Sequence, residues 1–201
     1  MSIHPSDLSQ LTGLVADCRA CGLWRNATQS VVGEGPTPAA LMMVGEQPGD
    51  QEDRSGRPFV GPAGRLLDGA LEEAGIQREG IYLTNAVKHF KWTPRGKRRI
   101  HDKPNRTEVA ACRPWLESEL ELAHPEVLVL LGATAAQSAL GSGFRVTRER
   151  GHDLTATGLA PHVVATVHPS ALLRVTDREE REAARDLFVQ DLRMAAKLAG
   201  I

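Results

Sequence analysis

Residues 39–53 read Ala39-Ala40-Leu41-Met42-Met43-Val44-Gly45-Glu46-Gln47-Pro48-Gly49-Asp50-Gln51-Glu52-Asp53. The apolar run has no polar break, and it stops at a Gly-Pro turn followed by acids. A strand with one wet face alternates polar and apolar residues, so an unbroken run of this length suits a strand buried on both faces of a parallel sheet. Residues 81–87, 127–131 and 163–167 form similar short stretches, each bounded by Gly, Pro, Asn or His.

Helical patterns lie between these runs. Residues 63–74 follow Pro62 and end at Gly75, as a helix closed by a glycine C-cap would. Residues 107–123 place Val109, Cys112, Leu116 and Leu120 on one side, and the last segment does the same with Ala184, Leu187, Phe188, Leu192 and Ala195. Thr176 and Glu179 have the spacing of a capping box that starts this last helix. Strands alternating with helices imply an α/β fold, a three-layer α/β/α sandwich around a central, mainly parallel four-stranded sheet.

The 201 residues suffice for a single domain, 1–201, and no repeat or linker divides them. With 41% hydrophobic and 24% charged residues the chain is neither disordered nor fibrous. No apolar run approaches the roughly 20 residues of a membrane span. Residues 1–10 lack the basic and apolar blocks of a signal peptide, so a cytoplasmic protein, monomeric and without a membrane partner, is expected.

In open α/β sheets ligands bind beyond the carboxyl ends of the strands, which directs attention to residues 45–53, 85–106, 132–134 and 168–170. The first of these has neither the dinucleotide glycine fingerprint nor a phosphate loop, which removes the usual support for a nucleotide cofactor. The second is the most charged part of the chain. Eight Lys or Arg side chains stand between Lys88 and Arg106 against Asp102 alone, a local charge of +7 in a chain of formal net charge −1. Cys18 and Cys21 stand at C-x-x-C spacing in segment 1–30, and Cys112 brings the total to three. An odd count without an export signal favours soft-metal ligation over a disulfide framework.

Gly45-Glu46-Gln47-Pro48-Gly49, Gly56-Arg57-Pro58-Phe59-Val60-Gly61-Pro62, Thr84-Asn85 and His168-Pro169-Ser170 together resemble the uracil-DNA glycosylase superfamily, nearest its iron-sulfur family 4 branch. Gln47 and the insertion Lys97-Arg98-Arg99-Ile100-His101 look like the UdgX group, as does His89, which stands where ordinary family 4 members have Cys. The resemblance implies an enzyme that excises uracil from DNA, mainly single-stranded. It implies that His101 captures the sugar covalently and that the basic insertion at 88–106 is a loop. It also implies a metal set of Cys18, Cys21, His89 and Cys112 holding a [4Fe-4S] cluster; Cys3His spacing alone suits Zn2+ equally.

Roles then follow from chemistry. Asn85 can accept from uracil N3–H and donate to O4, a pattern cytosine cannot match. Phe59 offers a stacking face. His168 can donate to uracil O2 as negative charge develops on the leaving base. Glu46, with Asp50 and Asp53 as further acids, can stabilise the cationic sugar. His101, held at contact distance, competes with water for C1′, and Arg98, Arg99 and Lys103 are expected to disfavour its protonation. Gln47 and Lys88 are expected at the substrate pocket, and Lys97, Arg98, Arg99 and Ser170 against the DNA. A conventional glycosylase that uses water, and a DNA-binding module without chemistry, remain open as alternatives.

Overall fold

The computed structural model describes residues 5–154 and 157–201. Strands β1 (Leu41–Gly45), β2 (Ile81–Asn85), β5 (Val127–Leu131) and β6 (His162–Thr166) form a parallel sheet in the order β2-β1-β5-β6. β1 and β5 are buried at every position. The reason is visible in the pleat: Leu41 and Met43 join one apolar cluster while Met42 and Val44 join another on the opposite face. Successive side chains of one strand thus enter two different cores, which is what an unbroken apolar run encodes.

Helices α3 (Pro62–Ala74) and α8 (Arg178–Ala199) cover the first face, supplying Leu67, Leu71, Phe188 and Leu192. Helices α4 (Arg106–Ala123) and α5 (Ala133–Leu140) cover the second with Leu116, Ala123, Ala135 and Ala136. Helix α1 (Leu8–Ala16) lies against α4 through a third cluster that contains Leu11, Val15, Cys18, Cys112 and Trp115. Three short helices, α2 (Asp50–Ser55), α6 (Val146–Glu149) and α7 (Pro169–Leu172), stand in the connections. The architecture is the expected three-layer sandwich. No described helix is long and apolar enough to cross a membrane.

Two sequence expectations shift. Helix α8 is capped by Asp177, whose carboxylate accepts from the Glu180 N–H at 2.9 Å, so the cap lies one residue beyond the Thr176–Glu179 pattern. Its buried stripe is Phe188, Val189, Leu192, Ala195 and Ala196; Leu187 stays half exposed because Phe188 and Val189 take the inward direction.

The basic segment is also no simple loop. Residues 86–90 run buried beneath the surface, and an antiparallel hairpin follows, β3 (Trp92–Arg95) and β4 (Arg98–His101), with Trp92 opposite His101. Gly96, at φ +59°, makes the tight turn between the strands. A two-stranded ribbon has little stability of its own, so contacts at its base must hold it.

Candidate active site

The ends of β1, β2, β5 and β6 open into a cleft of about 840 Å³. Its floor is built by absence of side chain. A Cβ on Gly45 would stand 2.4 Å from the Asn85 Oδ1 and 2.6 Å from the Phe59 Cζ, so glycine at the end of β1 leaves room for both groups. Asn85 is 3% exposed and lines the cleft, and none of the described residues hydrogen-bonds its amide. The amide is thus open to the cleft and free to meet a ligand that presents a matching donor and acceptor. Phe59 lies in the left-handed region at φ 54°, unusual for a bulky side chain and worth on the order of 1–3 kcal/mol of strain. Its ring stacks on His168, 6.2 Å between centroids and 27° between planes.

His168 caps α7. Its Nδ1 accepts from the Ser170 N–H at 3.1 Å and lies 2.8 Å from the Ser170 Oγ. A ring nitrogen that accepts from a backbone amide carries no proton, so the proton of the neutral imidazole sits on Nε2. Burial holds His168 in this neutral form and lowers its pKa to about 4; Glu46 opposes the shift, while His101 and Arg174 assist it. Gly132, at φ +90°, makes the facing turn, where a Cβ would come within 2.8 Å of the His168 Cβ. Ser170, expected against the DNA, is thus engaged with His168 at the cleft wall.

Glu46 is gripped at both oxygens. Oε1 lies 3.3 Å from the His101 Nε2, and Oε2 accepts from the Thr134 hydroxyl. Burial works against ionising Glu46, yet the hydrogen bonds from His101 and Thr134 and the two nearby imidazoles outweigh it and hold the carboxyl below its ordinary value. His101 is 43% exposed at the cleft edge, tilted over Phe90. Its closest charged partner is the Glu46 carboxylate rather than the cationic neighbours the sequence suggested, because Arg99 turns elsewhere.

The hairpin is fastened from beneath. Gln47 accepts from the Lys91 N–H at 3.1 Å and donates to the carbonyls of Lys91 and Asp102, so one amide bridges both ends of the ribbon. Its polar atoms face the hairpin backbone, although the side chain also borders the cleft. Arg99 donates to Asp50 and, at 2.6 Å, to Asp53, and lies over Phe90 and Trp92. Trp92 Nε1 donates to the Asn26 carbonyl at 2.9 Å. Arg99 therefore meets the hairpin's own footing, whereas Lys97 and Arg98 stand exposed at the tip, with no ion pair among the described residues.

Two expected substrate contacts lie elsewhere. Asp53 is fully buried and accepts from the Thr28 N–H and Arg99, away from the cleft lining. Lys88 is fully buried as well, with Nζ bonded to Glu119, to the Thr84 hydroxyl and to the Asn85 carbonyl at 2.6 Å. A lysine in that position fixes the backbone of Asn85 from behind. Asp50 keeps its place on the cleft but is paired with Arg99 and Arg54. Sequence reading missed Thr134 and Glu52. Glu52 Oε1 accepts from the Gly61 N–H at 2.8 Å and Oε2 from the Gly49 N–H at 3.1 Å, joining the first turn to the start of α3. Its signal was available: an acid three residues beyond a helix N-cap.

Cys18, Cys21 and Cys112 gather at the α1–α4 cluster, and the Trp115 indole N–H donates to the Cys18 Sγ at 3.2 Å. Burial pushes the Cys112 thiol up to about 11 and raises Cys21, and the sulfurs lie close enough to influence one another's ionisation. His89 is buried near Arg19 and Asp53, and burial lowers its pKa, keeping the imidazole neutral as a metal ligand requires. Among the described residues no three His, Cys, Asp or Glu side chains converge at metal-binding spacing. The donor chemistry, neighbouring soft sulfurs in an apolar cluster with an N–H donor to one of them, fits a sulfur-rich metal group.

Comparison with known proteins matches this arrangement. The pattern of the Uracil DNA glycosylase superfamily matches residues 32–193. The chain is 42% identical to the Type-4 uracil-DNA glycosylase of Thermotoga maritima over 83% of either chain. It is 34% identical to that of Pyrobaculum aerophilum, over 94% of this chain and 92% of the relative. A Type-5 uracil-DNA glycosylase from Thermus thermophilus is 33% identical over 85% of this chain and 81% of its own. The matched span contains the cleft's Asn85, Phe59, Glu46 and His168, and on that ground the chain belongs to the uracil-DNA glycosylase superfamily, related most clearly to its Type-4 enzymes.

Proposed function

We propose that this protein excises uracil from DNA, preferentially single-stranded, and that His101 then bonds to C1′ of the deoxyribose. The observation that carries this reading is the approach of His101 to Glu46 within the cleft that also holds Asn85 and His168. An extruded or single-stranded uridine places its base over Phe59, with its N3–O4 edge at the unpaired Asn85 amide. Single-stranded DNA spares the cost of unpairing.

As the C1′–N1 bond breaks, its electron pair leaves on uracil, and the Nε2–H of neutral His168 donates to O2. A positively charged His168 is not needed, since one well-placed N–H suffices. The ionised Glu46 faces the developing oxocarbenium ion. An imidazole nitrogen of His101 gives its lone pair to C1′, and Glu46 is placed to take the N–H proton of the imidazolium that results. A contact held in place by Gln47 and Arg99 gives the imidazole a high effective concentration relative to water. Once Glu46 passes that proton to solvent, the neutral imidazole on C1′ is a poor leaving group, so the adduct persists.

Uracil-containing single-stranded DNA separates the readings on a denaturing gel. A retarded, denaturant-stable band is expected from the native chain. His101→Ser is expected to release uracil and give no such band; an undiminished band from that variant refutes the nucleophile. Free abasic DNA without a band from the native chain favours the water-using glycosylase.

Cys18, Cys21, Cys112 and His89 would hold a [4Fe-4S] cluster, which supplies a covalent brace between segment 1–30, α4 and the buried segment that leads to the hairpin. Purified protein is expected to contain iron and acid-labile sulfide, both lost in Cys18→Ser. Zinc with no iron overturns the assignment.

A further inference from the structure

Phe59 holds a backbone conformation that an aromatic residue does not choose unaided, and something outside the cleft must maintain it. Arg78, in the turn after α3, lies beside it. The guanidinium donates to two consecutive carbonyls, those of Pro58 at 3.3 Å and Phe59 at 3.2 Å. Asp68 on α3 accepts from the same guanidinium, and Glu34 stands 4.0 Å away, itself paired with Arg57 at 3.0 Å. From another side the first turn of α3 presses on the same peptide: a Cβ on Gly64 would fall 1.8 Å from the Phe59 carbonyl oxygen. The Phe59 carbonyl is therefore pinned between Gly64 and Arg78, and its ring has the direction left to it, over Gly45 and toward His168.

We propose that Arg78 is a positioning residue for base recognition: its forked hydrogen bonds to Pro58 and Phe59 hold the turn that presents the Phe59 ring to the extruded base. The proposal rests on the reading of Phe59 as the stacking face for uracil. A guanidinium can serve two carbonyls and an acid together because its donors lie in one rigid plane. Lysine keeps the charge without the fork, and glutamine keeps neither the charge nor the reach to Asp68.

Stacking holds the base alike in ground and transition state, so its loss appears in KM rather than kcat. In multiple-turnover uracil release by the His101→Ser chain, Arg78→Gln is expected to raise KM by about tenfold, a fraction of one stacking contact, with kcat nearly unchanged. Arg78→Lys is expected to fall between, and it serves as the test if the glutamine variant does not fold. The decisive comparison is with Phe59→Ala. If Arg78 acts through the ring, adding Arg78→Gln to Phe59→Ala produces no further rise in KM. Multiplying losses, or an unchanged KM in the single variant, overturns the proposal.

Should the chain release no uracil, the functional reading fails on its own. Arg78 is then judged by 19F NMR of fluorophenylalanine-labelled protein, in which Arg78→Gln is expected to shift the Phe59 resonance, and an unmoved resonance refutes the role.

Discussion

His168 illustrates how one side chain's surroundings set both chemistry and stability. Its Nδ1 is occupied by the Ser170 amide and its pKa is lowered to about 4 by burial, so Nε2–H is a constant donor through the neutral and mildly acidic range. Glu46, held below its ordinary value, remains ionised over the same range. Uracil release is therefore expected to stay level as pH falls from 8 to about 5, and to drop toward 4 as protonation at Nδ1 breaks the bond from the Ser170 N–H that orients the ring. The stability effect has a definite sign. Between its unfolded value of about 6.5 and its folded value, the unfolded chain binds the extra proton, so folding weakens as pH falls through this window. The loss amounts to about 2 kcal/mol between pH 7 and pH 5. Urea unfolding at the two pH values should show this limb in the native chain and a flatter one in His168→Gln. His168→Leu, which removes the donor outright, should slow uracil release about 100- to 1000-fold, as removal of a single oxyanion donor does elsewhere. An equally steep limb in His168→Gln would place the acid sensitivity in another group.

Among the secondary elements, the hairpin departs furthest from its sequence. Its charge density read as a loop, yet Trp92 and Thr93 before Gly96 and Ile100 after it supply strand-forming residues around a turn. What fixes it, Gln47, lies 44 residues before Lys91 and 55 before Asp102, a separation no local pattern reports. The same limit explains Lys88 and Asp53. Their sequence neighbours belong to the cleft, while their partners Glu119 and Thr28 lie 31 and 25 residues away and draw the side chains inward. Glycine, proline and strand-end positions led to Asn85, Phe59, Glu46 and His168, which the structure gathers in one cleft because their placement depends on the local turn. Gln47→Leu preserves volume and removes the bridge to both ends of the ribbon. It is expected to leave uracil excision within about threefold of native, the effect of a contact worth below 1 kcal/mol at the transition state. The fraction of excised sites captured covalently should fall steeply, because the effective concentration of His101 depends on a fixed hairpin. Gel quantitation of adduct against free abasic product decides it, and an unaltered ratio denies Gln47 this part.

At the level of the whole molecule, the two opposed cores of β1 made the sheet legible, since a strand with apolar side chains pointing both ways needs a core on each side of it. The formal net charge of −1 was the least informative number, because it averages a cationic hairpin with an acidic remainder. Within the hairpin the structure divides the cations further: Lys91 is spent on Glu108 and Arg99 on Asp50 and Asp53, while Lys97 and Arg98 have no described acid to meet. A polyanion approaching the cleft would meet these two charges, together with the equally exposed and unpaired Arg95, at the tip of the ribbon that carries His101. Each phosphate neutralised on a single strand contributes roughly −0.7 to the slope of log K against log salt. Replacing Lys97 and Arg98 with Gln should therefore make that slope shallower by about 1.4 and weaken binding alike for uracil and thymine oligonucleotides. Fluorescence anisotropy across a salt series, using His101→Ser so that no covalent product accumulates, measures it directly. A slope equal to that of the parent would mean the strand passes the hairpin tip without touching it, and the phosphate contacts would have to be sought at the opposite rim, around Arg174.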